Sequence, residues 1–164
     1  MGATITAEFS AVLLRDLEGL QREITLFPDD ESIWKALPGV TNSAGNLALH
    51  IAGNIRHFIG YLVGGIPYSR DREDEFGRRS GKRDELIVEL DHAIAAVRDV
   101  LPRITVQQLE AQFDGHPGVT VSTRRFLLHL CTHTSFHLGQ AGYLRRILTG
   151  DSRSTNTVNA ARLA

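Results

Sequence analysis

From Ser122 to Leu148 the chain holds a single helical period that no proline interrupts. Phe126, Leu130, His133, His137, Gln140, Leu144 and Leu148 recur at three- and four-residue steps, so they share one face at ~100° per residue. A helix of that length spans about 40 Å at ~1.5 Å per residue. Its apolar stripe can be covered only by other long helices, which restricts the chain to a bundle. His129 lies on the border of the stripe, and Arg124, Arg145 and Arg146 fall away from it. Leu127, Cys131 and Leu138 widen the apolar surface, for a neighbouring helix or a second subunit.

The rest of the chain supplies partners of similar length. Phe9, Leu13, Leu17, Leu20 and Ile24 predict a first helix over Thr6 to Phe27, stopped by Pro28. A short turn follows, with Trp34 and Leu37 pinning it to the bundle. The second helix starts near Asn42 or Ser43, either able to cap it, and runs to Val63 before Gly64, Gly65 and Pro67. Leu86, Leu90, Ala93, Ile94, Val97 and Leu101 mark a third, over Lys82 to Leu101. Between helices two and three lies a long loop, whose run from Arg70 to Phe76 mixes charges and reads as solvated. Residues 110–121, with Gly115, Pro117 and Gly118, read as a connecting loop. The expected fold class is therefore all-α, an antiparallel four-helix bundle over 1–150, followed at 151–164 by a tail that is frayed or loosely docked.

Length and charge narrow the function. One domain accounts for 164 residues, and a net charge of −1 argues against a nucleic-acid partner. No apolar run approaches the ~20 residues that span a bilayer, and the first residues do not read as a signal peptide. The only cysteine, Cys131, can form no disulfide within the chain, which suits a cytoplasmic location. It lies off the histidine face and reads as a small core residue.

The histidines carry the chemistry. His133 and His137 stand four residues apart in the buried stripe, where two imidazoles can reach one metal ion. In such a bundle the middle of the second helix can face the middle of the fourth, and His50 is the best candidate for a third ligand. Three neutral imidazoles would leave the fourth corner of a zinc site open, the pattern of a reactive rather than a structural centre. The alternative is a set of hydrogen-bonded core histidines without metal. α-Helical spacing places Asn54, His57 and Tyr61 beside His50, so they could support the ligands, contact substrate or move a proton. Gln140 could orient a ligand ring on the fourth helix.

Two segments carry a family resemblance. Residues 42–54, with His50 at the ligand position, resemble the second helix of the DinB-like superfamily of metal-binding four-helix bundles. His133-Thr134-Ser135-Phe136-His137-Leu138-Gly139-Gln140 resembles its His-x-x-x-His-x-Gly-Gln signature, and Arg70 to Phe76 is similar to a segment of an uncharacterised subgroup. The resemblance spans about residues 6–149 and implies a DinB-like bundle with His50, His133 and His137 as ligands of a divalent ion, zinc or nickel. It further implies a small-molecule substrate, a homodimer and a metal-dependent transferase. Relatives of that kind use bacillithiol or mycothiol, and the metal lowers the pKa of the thiol that attacks a small electrophile. A non-catalytic metal-binding stress or interaction protein, and a metal-dependent hydrolase using water, are the alternatives.

Overall fold

The computed structural model describes residues 2–163, with side chains from Ile5 onward. Met1 and Ala164, at the ends of the two expected spans, lie outside the described residues. Four long helices form an all-α antiparallel bundle: α1 (Gly2–Thr25), α3 (Ala44–Ile55) with its continuation, α5 (Arg83–Val100) and α7 (Thr123–Thr149). The short helices α2 (Asp30–Ile33), α4 (Arg72–Gly77) and α6 (Val106–Glu110) lie in the connections. α1 packs against α5 and α7, and α3 packs against α5 and α7, so each stripe finds cover. Leu13, Leu17, Leu20 and Ile24 of α1 are fully buried, as are Ile51, Ile55, Leu86, Leu90 and Val97. Each such side chain contributes about 1.5–3 kcal/mol by leaving water.

The helix boundaries follow local chemistry. Ser43 caps α3 in a capping box with Asn46, whose N–H donates to Ser43 Oγ over 3.2 Å. Ser122 caps α7, and Gly150 ends it with a left-handed φ of 70°. Trp34 donates its indole N–H to the Gly81 carbonyl at 2.9 Å and so fastens the α2 connection to the bundle.

Three features depart from the pattern reading, and a fourth decides between its two alternatives. Past Ile55 the second long helix continues as a π-helix, Arg56–Val63, with Gly64 N–H donating to the Ile59 carbonyl at 2.9 Å. Where 110–121 reads as a loop, a small hairpin of two-residue strands forms, β1 (Gln112–Phe113) antiparallel to β2 (Val121–Ser122). Leu127, Cys131 and Leu138 are buried inside the chain, and the Cys131 sulfur lies 3.9 Å from the Phe9 carbonyl, so no second subunit is needed to cover them. Arg145 does not face solvent: its side chain is 0 % exposed and pairs with Glu23 of α1.

That ion pair organises the segment after Gly150. Arg145 also donates to the carbonyls of Asp151 and Arg153. Thr155 donates to the second Glu23 oxygen at 2.7 Å, and Thr157 is buried over Gly19. A β-carbon at Gly19 would lie 1.9 Å from Thr157 Cγ2, so only glycine lets this strand of chain lie down there.

Candidate metal centre

His50 comes from the buried middle of α3, and His133 and His137 from successive turns of α7. The Nε2 atom of His133 lies 3.4 Å from that of His50 and 3.1 Å from that of His137. One ring nitrogen from each of the three falls within 4.8 Å of the others. The rings meet edge to face, at interplanar angles of 81°, 88° and 90°, so nitrogens rather than ring faces converge. Corners of a tetrahedral site with metal–nitrogen bonds of ~2.0–2.1 Å lie about 3.3 Å apart. The two separations from His133 Nε2 match that spacing.

The outer nitrogens fix what the inner ones can do. His137 Nδ1–H donates to Gln140 Oε1 at 2.7 Å, and His50 Nδ1 lies 3.0 Å from a Glu75 carboxylate oxygen. With those protons on Nδ1, both Nε2 atoms present lone pairs toward His133. His133 could bridge only one of them with a proton. Such a crowd of imidazole lone pairs suits a cation, and the residues present fit a divalent ion.

Comparison with known families agrees with this geometry. The family model of the DinB superfamily matches residues 13–141. The chain belongs to the DinB superfamily. Neither the curated proteins nor the solved structures contain a match. As in that metal-binding superfamily, the three histidines of this DinB chain form a set able to hold a divalent ion.

The electrostatics keep the two α7 histidines neutral. Burial above all, with the charges of His137, His50, His129 and Arg70, lowers the His133 pKa to about 4. Burial also lowers His137, against the raising effect of its bond to Gln140. Neutral imidazoles are the ligand form, so the centre is ready to take up metal at neutral pH. The same shift makes the metal-free fold acid-sensitive. Unfolded His133 titrates near its ordinary value of 6.5. Between that value and about 4 the unfolded chain binds a proton that the folded chain refuses. Stability is therefore full above the unfolded pKa and falls as the pH drops through that window. Denaturant melts of the metal-free protein are expected to show a lower midpoint at about pH 5 than at about pH 7.5. His133→Asn should narrow the gap; a gap of unchanged size in the variant would assign the acid sensitivity to other groups.

The remaining residues singled out in the sequence sit as follows. Asn54 is buried, its Oδ1 without a hydrogen-bond partner among the described residues. His57 has its Nδ1 buried and without a partner among the described residues, and its ring lies against Phe58 and Tyr61. Burial foremost, then Arg70, lowers the His57 pKa. Tyr61 is 45 % exposed. None of these three hydrogen-bonds to the ligand imidazoles, whereas Gln140 does. α-Geometry would stack His57 and Tyr61 over His50; the π-turns break that alignment. His129 is exposed and its ring stacks on His133 at 5.6 Å. Burial pushes the Cys131 thiol up to about 12, so it is neither thiolate nor ligand at neutral pH.

Two residues at the site escape sequence reasoning. Glu75 and Arg70 come from the run read as a solvated loop, yet Glu75 is only 4 % exposed and touches His50. Burial works to raise the Glu75 pKa, and hydrogen bonds from Arg70 and His50 overcome it, so the carboxyl is held below its usual value. Phe76 packs on the His50 ring at 4.7 Å, with the Arg72 guanidinium over Phe76 at 5.0 Å. The available signal was Gly53, one turn beyond His50, where a β-carbon would fall 2.2 Å from Glu75 Oε1.

Proposed function

We propose that this chain is a metal-dependent transferase in which a low-molecular-weight thiol, of the bacillithiol or mycothiol type, attacks a small electrophile at the three-histidine centre. The observation that carries the reading is the convergence of three imidazole nitrogens at metal-ligand spacing, with His133 and His137 only half-buried. A divalent ion held there, zinc or nickel, would supply the Lewis acidity that lowers the pKa of a bound thiol. The protein itself offers no such nucleophile. Cys131 is buried against Phe9, off the histidine face, with its pKa pushed up to about 12. A thiol that reacts here is therefore brought by a small molecule. Gln140 holds the His137 ring in orientation, and His133 and His137 stand half-buried rather than sealed in the core. Under the same reading the chain works in the cytoplasm as a homodimer on a small-molecule substrate, as the resemblance implies. Among the described residues no helix is long and apolar enough to cross a membrane.

The test uses the purified chain loaded with zinc or nickel, a chromogenic chloroarene as electrophile, and cysteine-based thiols. Elemental analysis is expected to give one ion per chain, and the arene should be conjugated only when both thiol and metal are present. Product formed without thiol would favour a hydrolase. Metal uptake with no turnover and no perturbation by thiol of a cobalt(II) spectrum would favour a non-catalytic metal-binding protein.

A further inference from the structure

Behind His50, on the side away from the other two imidazoles, lies a second charged layer. Glu75 Oε2 sits 3.0 Å from His50 Nδ1. Arg70 grips the same carboxylate with two donors, Nε to Oε1 at 2.6 Å and the terminal Nη2 to Oε2 at 2.7 Å. A carboxylate in such a bidentate pair is ionised and only accepts. Arg70 Nη2 also lies 3.3 Å from His50 Nδ1. Arg70 Nη2 donates to Oε2, and His50 Nδ1 can either donate to that same oxygen or accept from Arg70, according to its tautomer. The Nδ1–H tautomer of His50 donates to the ionised Oε2 at 3.0 Å, whereas the other could only accept from Arg70 at the longer 3.3 Å and would turn its Nδ1 lone pair toward the carboxylate. The geometry therefore favours Nδ1–H, which leaves the Nε2 lone pair facing His133.

The chain goes to some length to bring that carboxylate in. Gly53 clears the surface of α3 beneath Glu75 Oε1. Asn46, one turn before His50, donates its side-chain amide to the carbonyls of Glu75 and Arg78, both at 2.9 Å. Asp71 caps α4 by accepting from the Asp74 N–H at 2.9 Å. Stability alone does not explain this effort, because desolvating an ion pair commonly costs as much as apolar packing would gain.

We propose that Glu75, held by Arg70, is the positioning residue of the centre: it locks His50 in the Nδ1–H tautomer so that Nε2 is presented as a ligand. The proposal rests on the metal reading above, and its test separates the two. In metal-free protein labelled with ¹⁵N-histidine, long-range nitrogen–proton correlation reads the tautomer of His50 directly. Wild type is expected to show Nδ1–H. In Glu75→Ala the ring is released toward Nε2–H, and cobalt(II) affinity, measured by chelator competition, drops by about 10–100-fold. Glu75→Gln, whose amide oxygen can still accept, should restore the tautomer and much of the affinity. Asp74→Ala, which removes a partner of Arg78 on the same short helix but touches no histidine, should change neither. Should Glu75→Ala fail to fold with Arg70 left unpaired, Arg70→Met with Glu75→Met removes both charges and must give the same tautomer change. A folded Glu75→Ala that keeps both tautomer and cobalt affinity, or a wild type found as Nε2–H, overturns the role of Glu75 while the metal reading stands. A wild type that takes up no cobalt overturns the metal reading and the ligand-positioning role with it.

Discussion

His133→Ala is expected to lower the affinity for a divalent ion by about 10²–10³-fold. Structural zinc sites with four ligands bind with about 10–16 kcal/mol, so one imidazole of such a set is worth about 2.5–4 kcal/mol. His133 is the hub: its Nε2 is the atom that lies within 3.4 Å of His50 and 3.1 Å of His137. The same substitution should cost the metal-free fold little. His133 carries a buried Nδ1 without a partner among the described residues, and burial already works against its charged form. Melts of the metal-free variant should therefore stay near wild type while chelator competition shows the affinity loss. Divalent-ion binding of unchanged strength in this variant would mean that the three nitrogens are not a ligand set.

Arg145→Ala is expected to act in the opposite way, with a large loss of stability and no loss of metal affinity. Arg145 is fully buried, and its partner Glu23 is nearly so. Removing one member of a buried pair typically costs about 3–5 kcal/mol, because the other charge is left without compensation. At about 2–4 °C per kcal/mol for a chain of this size, the melting temperature should fall by about 6–20 °C. Two carbonyls of the tail, at Asp151 and Arg153, lose their donor as well. Arg145→Lys should rescue poorly, since one ammonium cannot reproduce a planar fork that serves three acceptors. Calorimetry of Arg145→Ala, of Arg145→Lys and of the double change Arg145→Met with Glu23→Leu decides the matter. A loss below about 1 kcal/mol in the alanine variant would place this pair among the weak surface bridges.

The long helices were legible because a stripe of buried side chains leaves a period in the sequence. The cap at Ser43 was legible because that residue type serves a special backbone position. Tertiary charge pairing leaves no such mark. Arg70 and Glu75 stand in a run of acids and bases that any solvated loop could carry, and only the fold shows that their partner is a histidine. Arg145 was more nearly readable. It shares the flank of α7 that holds Leu127, Cys131 and Leu138, at about 100–140° from Phe126. A cation on that flank needs a buried acid, and Glu23 supplies it. The π-helix was not legible, because no residue type selects i→i−5 pairing the way glycine selects a left-handed φ. Its effect is plain at Tyr61, which an α-helical wheel stacks above His50 and which stands 45 % exposed instead.

A π-helix fits more residues into each turn than an α-helix, closing i→i−5 rather than i→i−4 rings. In Arg56–Val63 the surplus is taken up directly beyond the α-helical turns that carry His50 and Asn54. Losing a single residue there, with the i→i−5 ladder kept, would turn the stretch from the deletion to Gly64 about the axis. Tyr61 and Leu62, now exposed, would turn to a new side. Gly65, at a φ of 70°, stands next in line to absorb the change before it reaches α4. Insertion or deletion, more than point substitution, is thus the hereditary route by which this end of the helix can be re-aimed. Chain length becomes a variable that lineages can tune, while the turns bearing the three imidazoles stay where they are.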